Sequence, residues 1–204
     1  MPTDLGGYGR GYAAVPCFWG TSPGSLIATY LASHDPQKLR VLDVGAGEGK
    51  NAAAFARRGA TVDAIECSSD AIKNGKSTFS DAAINWIEQD ATSYNYPSKF
   101  YDVVICYGLI HCLRTAEEAE RIVSKTQASL KIDGVYILAS FNDGSHDLSA
   151  HPGFNPLLMS HAWFLEAFNH WQIVVATNTP LHETHPDNGI PHFHSMSRLM
   201  AKRR

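Results

Sequence analysis

No two cysteines in this chain stand at a C-x-x-C spacing. There are four in 204 residues: Cys17, Cys67, Cys106 and Cys112. Cys67 and Cys106 lie at the ends of apolar runs that read as buried strands, so they are expected to be reduced thiols. That excludes a disulfide scaffold and points to a cytoplasmic protein. Excess positive charge is missing too. Lys and Arg total 17 against 20 Asp and Glu, for a net charge of −3, which leaves no broad cationic face for nucleic acid or an acidic membrane. The one basic run, AKRR at 201–204, reads as a solvated tail. No apolar run approaches the roughly 20 residues of a membrane span. The N-terminal MPTDLGGYGRGY has no basic stretch followed by an apolar one, so no secretory signal is expected. Internal repeats and low-complexity linkers are lacking as well. What remains is 44% hydrophobic and 18% charged, ordinary for a globular enzyme with one sizeable core and too short for two.

Short apolar runs alternate with amphipathic ones. Strands are expected at 39–44, 61–66, 84–90, 101–108 and 135–141, and helices at 50–59, 68–79 and 116–130. Ser68 or Ser69 can cap the second of these helices, and Asp133-Gly134 turns the chain behind the third. This β-α-β-α rhythm predicts a mostly parallel sheet with helices on both faces. The end of the chain differs: a short helix over 161–169 precedes two strand-like runs, WQIVVATNTPLHETH and IPHFHSMSRLMA, with PDNG between them. Asn-Gly is the strongest short hairpin signal, so the sheet is expected to finish in an antiparallel hairpin. Residues 1–37, with GGYGRGY and FWGTSPGS, are too rich in Gly and Pro for a long helix and read as a lid. The expected organisation is one domain: a lid over 1–37, a ligand-binding half over 38–141 and a substrate-side half over 142–204.

The first strand runs into DVGAGEG, with Asp43, Gly45, Gly47 and Gly49 alternating. Small residues let the backbone approach a ligand at the tip of a parallel strand, before a helix whose N-terminus is partly positive. A dinucleotide fingerprint begun at Gly45 would need a third small residue where Lys50 stands. Glu66 ends the second strand, where a carboxylate can accept hydrogen bonds from ribose hydroxyls. Asp90 and the Ala91 amide end the third, where an adenine edge can be read.

With these residues, LDVGAGEGKNAAAFARRGATVDAIE resembles the class I S-adenosylmethionine-dependent methyltransferases over residues 38–141. The resemblance implies a Rossmann-like, doubly wound seven-stranded α/β sheet, mostly parallel with an antiparallel C-terminal strand. It also implies S-adenosylmethionine as cofactor and S-adenosylhomocysteine as product. Gly45, Ala46 and Gly47 would face the methionine part, Glu66 the ribose, and Asp90 with Ala91 the adenine. Asp43, Cys67, Cys106 and, from the lid, Trp19 would be further cofactor neighbours. More narrowly, the chain looks like the tellurite-resistance (TehB-like) branch, with Asn51 after the glycine loop and Leu181-His182 entering the last hairpin. That branch tends to have arginines around the hairpin, where Glu183 and Pro191 stand here, so the resemblance does not settle on an oxyanion acceptor. A small-molecule methyl acceptor is expected. The alternatives are a tellurite, selenite or thiol acceptor of the detoxification kind, or a non-catalytic cofactor-binding sensor or partner subunit.

Candidates for positioning the acceptor are Tyr107 and His111 after the fourth strand, and Tyr8, Tyr12 and Trp19 from the lid. The aromatic faces can pack on a sulfonium. Four of the ten histidines fall in LHETHPDNGIPHFHS: His182, His185, His192 and His194. A two-residue turn at Asn188-Gly189 would set His185 opposite His192 and Glu183 opposite His194, all on one side of the hairpin. Because the hairpin overhangs the carboxyl ends of the parallel strands, it reads as a rim over the acceptor with His182, His192 and His194 in catalytic positions. A solvated hairpin is the second reading and a zinc site the third. The metal reading is weakened by Pro186 opposing Pro191 beside the turn and by the absence of a cysteine from the cluster.

Overall fold

The computed structural model describes residues 8–204; the first seven residues of the expected lid lie outside the described residues. Seven strands form one sheet: β1 (Arg40–Val44), β2 (Thr61–Glu66), β3 (Ile84–Glu88), β4 (Tyr101–Tyr107), β5 (Leu130–His146), β6 (Gln172–Thr184) and β7 (Pro191–Lys202). Their order is β3-β2-β1-β4-β5-β7-β6. The first five pair in parallel, and β7 runs antiparallel to both β5 and β6. The expected mixed α/β sheet with an antiparallel end is therefore what the chain builds.

Side-chain alternation on the strands sorts the core into two layers. Leu42, Val104, Cys106, Tyr136 and Leu138 face one way, onto α5 (Ala116–Ser129) and α6 (His161–Glu166). Val41, Val62, Val103, Ile105 and Ile137 face the other way, onto α2 (Ser25–Ser33) and α3 (Lys50–Ala56). Helix starts follow capping chemistry. Ser68 accepts the Ala71 amide at the start of α4 (Ser69–Thr78), Thr115 accepts Glu118 N for α5, and Ser160 accepts Trp163 N for α6.

Three local expectations needed adjustment. Within the lid, α1 (Gly9–Ala14) is short as expected, but α2 was not foreseen. The Gly and Pro residues of that segment flank SLIATYLAS rather than interrupt it, and Leu26, Ile27, Tyr30 and Leu31 form a buried face. Strand β5 begins before Asp133-Gly134 and bends there, with Asp133 at φ +64° and the β4 register slipping between Tyr101 and Val103. Helix α6 stops at Glu166, short of 169. No helix among the described residues is long and apolar enough to cross a membrane.

Candidate functional site

The order of the sheet places a crevice at the carboxyl ends of β1 and β4, where the chain leaves in opposite directions along the sheet. The loop after β1 lies there, with Gly45, Gly47 and Gly49 at φ +68°, +56° and +80°. A side chain on Gly49 would strike the Trp86 ring, and a Cβ on Gly47 would lie 2.8 Å from the Tyr12 hydroxyl, so glycine is required for both conformation and space. The loop is tied to β2 by backbone bonds from Gly45 N and Ala46 N to Ile65 O, each 2.9 Å. Glu66 completes the tie: its Oε2 accepts Gly47 N at 2.8 Å, and its Oε1 accepts Cys67 N at 2.8 Å and Ser68 N at 2.9 Å. Two carboxylate oxygens have about four acceptor positions, so Glu66 keeps capacity for a ligand hydroxyl.

Asp43 lies beneath this loop. Its Oδ2 accepts Ala52 N at 3.1 Å in the first turn of α3, which has no side-chain cap at Gly49. Burial pushes its carboxyl up to about 7. It lines neither of the cavities described next, so its place is under the loop, against the expectation of a direct cofactor neighbour.

The lid closes over the loop through a set of polar ties. Trp19 Nε1 donates to the Tyr12 hydroxyl at 2.9 Å, Lys50 Nζ to Trp19 O at 2.8 Å, and Gly24 N to Asn51 Oδ1 at 2.8 Å. Glu48 Oε1 accepts Cys17 N and Asn74 Nδ2 at 2.9 and 3.0 Å. Its Oε2 is buried with no hydrogen-bond partner among the described residues.

Under the lid lie two adjoining cavities that share Tyr8, Tyr12, Gly45 and Gly108. One, of about 80 Å³, is lined by Glu66, Cys67, Gln89, Asp90 and Ala91. The other, of about 150 Å³, is lined by Gly47, Lys50, Asn51, Tyr107, His111 and Glu183, with Trp19 at its lid side. The structure thus brings together most of the expected cofactor and acceptor residues around one connected space. Cys106 is not among them: it is wholly buried in the core layer beside Tyr136. Its side chain takes the alternate, inward position on β4.

His111 faces the larger cavity in a defined tautomer. Phe141 N donates to its Nδ1 at 3.2 Å, and Ser140 Oγ lies 3.2 Å from the same atom. An N–H can only donate, so Nδ1 holds the lone pair and Nε2 carries the proton of the neutral ring. That Nε2 lies 3.5 Å from the Tyr8 hydroxyl. Burial, reinforced by His194, His146 and His151, pushes the imidazole down to about 3. His111 therefore presents a hydrogen-bond donor to the cavity, and its lone pair is committed elsewhere. Burial likewise holds the Tyr8 phenol well above its ordinary value, keeping a second neutral donor in place.

The hairpin departs from its expected register. Glu183 pairs with His192, Leu181 with His194 and His182 with Phe193. The turn is longer than Asn188-Gly189 alone, because prolines at 186 and 191 cannot both sit opposite each other in a ladder. Shifting the register by an even number of residues preserves facing, so Glu183, His192 and His194 still share one side. His182 is on the other, exposed beside Phe193, and like it His192 and His194 line neither cavity, which takes all three out of the expected catalytic set. On the inner side the rings converge with a residue that the sequence reading missed. His151 Nε2 lies 3.2 Å from His185 Nε2, 3.2 Å from His192 Nε2 and 3.3 Å from His194 Nε2. Glu183 Oε1 lies 3.6 Å from His192 and His194 Nε2 and 3.9 Å from His185 Nε2. His185 stacks on Phe18 of the lid, and His194 on Phe141. Burial and the neighbouring rings push His185 down to about 4 and His194 to about 3. Glu48 falls inside the glycine motif, within the span Gly45 to Gly49, but its own side chain was given no role, and Lys50 and His151 carried no periodic or motif signal. His151 stands in a loop, SHDLSAHPGF, whose docking depends on the finished sheet.

Comparison with known proteins speaks to the family and the fold. The model of a family described as a methyltransferase domain matches residues 41–134. An uncharacterized methyltransferase of Mycobacterium tuberculosis is 30% identical over 79 residues, 39% of this chain and 40% of that protein. The chain thus spans less than half the length of the curated relatives it matches. Among solved structures, TehB from Haemophilus influenzae superposes with a TM-score of 0.72 at 17% identity, over 89% of this chain and 62% of that one. Magnesium protoporphyrin IX methyltransferase from Synechocystis PCC 6803, solved with bound S-adenosylmethionine, gives 0.63 at 18% identity, over 97% and 80% of the two chains. At such identities these two likenesses concern the fold.

Proposed function

We propose that this chain, which matches a methyltransferase-domain family over residues 41–134, is a class I S-adenosylmethionine-dependent methyltransferase and transfers the cofactor's methyl group to a small-molecule acceptor in the cytoplasm. The observation that carries this reading is the pair of adjoining cavities meeting at the glycine loop. The smaller one suits the adenosine: Glu66 accepts ribose hydroxyls, and Asp90 with the Ala91 amide meets the adenine. The methionine part follows the glycine loop, and the unpartnered Glu48 Oε2 offers an acceptor for its ammonium. Tyr8 and Tyr12 stand where the cavities join, with Trp19 on the lid side of the larger one, and offer aromatic faces to a sulfonium.

The larger cavity holds the acceptor. Methyl transfer is an in-line displacement, so the acceptor atom must be held about 3 Å from the methyl on the sulfur axis, with bulk water kept out. The closed lid does the second. Tyr107, Tyr8 and His111 do the first, the last two as donors. Since the His111 lone pair is engaged by Phe141 N, this histidine orients the acceptor and is no base toward it. The arrangement favours an acceptor that attacks through an oxygen or sulfur already carrying negative charge over one that must give up a firmly held proton.

The test is calorimetry with S-adenosylmethionine and S-adenosylhomocysteine, followed by an assay for S-adenosylhomocysteine formation with phenols, thiols, selenite and tellurite; the likeness to TehB is the reason for the last two. Micromolar cofactor binding with turnover of one acceptor class is expected. Affinity for NAD with none for S-adenosylmethionine would overturn the reading, and cofactor binding with no turnover on any acceptor would favour a sensor.

A further inference from the structure

We propose that His151, His192, His194 and Glu183 bind a divalent transition metal ion of the zinc type at the wall of the acceptor cavity, with His185 as an adjoining fifth donor. The side chains come from three places: the loop after β5, the end of β6 and the start of β7. One donor atom from each of the four lies within 4.8 Å of all the others.

Spacing is the first argument. Zinc–nitrogen bonds of about 2.0–2.1 Å in a tetrahedron set the donors about 3.3 Å apart. His151 Nε2 is 3.2–3.3 Å from three other Nε2 atoms, and Glu183 Oε1 is 3.6 Å from two of them.

Proton bookkeeping is the second. His192 Nδ1 lies 2.8 Å from Ile190 O, a pure acceptor, so Nδ1 carries the proton and Nε2 turns a bare lone pair inward. His146 Nε2 lies 2.7 Å from Asn142 O and must donate to it, which leaves His146 Nδ1 as an acceptor. His194 Nδ1, 3.2 Å from that atom, therefore carries its own proton, and His194 Nε2 also turns a lone pair inward. His151 Nε2 has at most one proton, yet it faces three nitrogens. Hydrogen bonds cannot satisfy this set. Nor do they satisfy Glu183 Oε1, which is buried with no hydrogen-bond partner among the described residues. Lone pairs and a carboxylate aimed at one point repel one another unless a cation sits there. An outer ring nitrogen fixed by a backbone carbonyl, as at His192, or by a second side chain, as His146 does for His194, is the usual support of a metal-bound imidazole.

Mostly nitrogen donors favour zinc and its first-row neighbours over magnesium or calcium, which take oxygen. The consequence for chemistry rests on the methyltransferase reading above. Glu183 lines the acceptor cavity, so an ion against it makes that wall cationic and favours an acceptor's oxygen or sulfur in its anionic form. It also pins the hairpin to the loop carrying His151.

The chain should be produced with added zinc, freed of loose metal by gel filtration and analysed for its elements. About one zinc per chain is expected, bound with a Kd below about 1 µM, or more than 8 kcal/mol, in competition with a chromophoric chelator. His192→Ala and His194→Ala should each lose the ion, whereas His182→Ala, on the outer side of the hairpin, should retain it. Cobalt substitution should give the intense visible absorption of a four- or five-coordinate nitrogen and oxygen site, a readout that needs no variant to fold. A purified chain free of transition metal that takes up neither zinc nor cobalt below about 100 µM would overturn the site. Calorimetry with S-adenosylmethionine on the same preparations separates the two readings: the metal-free chain should bind cofactor as well as the loaded one. An acceptor turned over equally fast with and without the ion would overturn its part in the chemistry.

Discussion

The glycine loop and the histidine hairpin flank the same space but are built by different means. In the loop half, each functional residue sits at the end of its own parallel strand, and the chain presents them in order: the glycines after β1, Glu66 after β2, Asp90 after β3. Each position follows from a local pattern, and the sheet only gathers them. In the hairpin half, four imidazoles and a carboxylate meet because two antiparallel strands pair in one register and a separate loop brings His151 beneath them. A shift of one residue in that register would turn every hairpin side chain to the other face. Sites at parallel strand ends are thus tolerant of loop detail, whereas a site made across a hairpin depends on it.

The largest expected effect tests the loop half. Gly47→Val forces a β-branched residue to a φ of +56° and puts its Cβ against the Tyr12 hydroxyl. The lid is pushed outward, and cofactor affinity measured by calorimetry should fall by about 100-fold or more, near 3 kcal/mol, with the circular dichroism spectrum retained. Unchanged affinity would show that the cofactor does not run along this loop, and the contrast between the halves would fail.

Glu66→Ala comes next. It removes the acceptor for the Gly47, Cys67 and Ser68 amides and, on the proposed reading, the one for the ribose. Cofactor binding should weaken by about 1.5–3 kcal/mol, the loss of a charged acceptor, while zinc content stays as in the parent chain. Loss of zinc in this variant would show the two halves to be coupled.

A smaller effect concerns pH. The Asp43 carboxyl titrates near 7 in the folded chain against 3.8 when unfolded, so the folded state holds its proton more tightly. The contribution is present below about pH 4 and is lost as pH rises toward 7, at no more than about 1.4 kcal/mol per pH unit. In urea titrations of cofactor-free protein, Asp43→Asn should flatten that decline between about pH 4 and about pH 7. The same slope in the variant and the parent would remove Asp43 as its source.

The smallest effect is expected at His182→Ala. This exposed ring faces Phe193 on the outer side of the hairpin, and the change should alter stability by less than about 0.5 kcal/mol and leave turnover near the parent value. A tenfold loss of turnover would restore it to the acceptor rim and overturn the facing of the hairpin.

The strand order of use, the glycine loop and the carboxylates at the strand ends were legible in the sequence because short-range geometry creates them. Positive φ at Gly47 and Gly49, the short apolar runs of β1 to β4 and the cap at Ser68 involve residues close along the chain. The facing of Glu183, His192 and His194 was legible for the same reason, since an even register shift preserves it. Other features depended on contacts between distant segments. Asp43 and Cys106 were expected beside the cofactor, but the packing of α3 and of Tyr136 draws them beneath the loop and into the core. The proton on His111 is placed by the Phe141 amide, 30 residues away in sequence. His151, 41 residues before His192, carries no mark in SHDLSAHPGF that would distinguish it from a solvated loop histidine. Local sequence determined where a nucleotide-bearing cofactor would lie, because parallel strands deliver their ends to one edge whatever follows. Only the tertiary structure decided that the histidines converge, because donor atoms within a few ångströms of one point are a property of register, loop docking and ring stacking together.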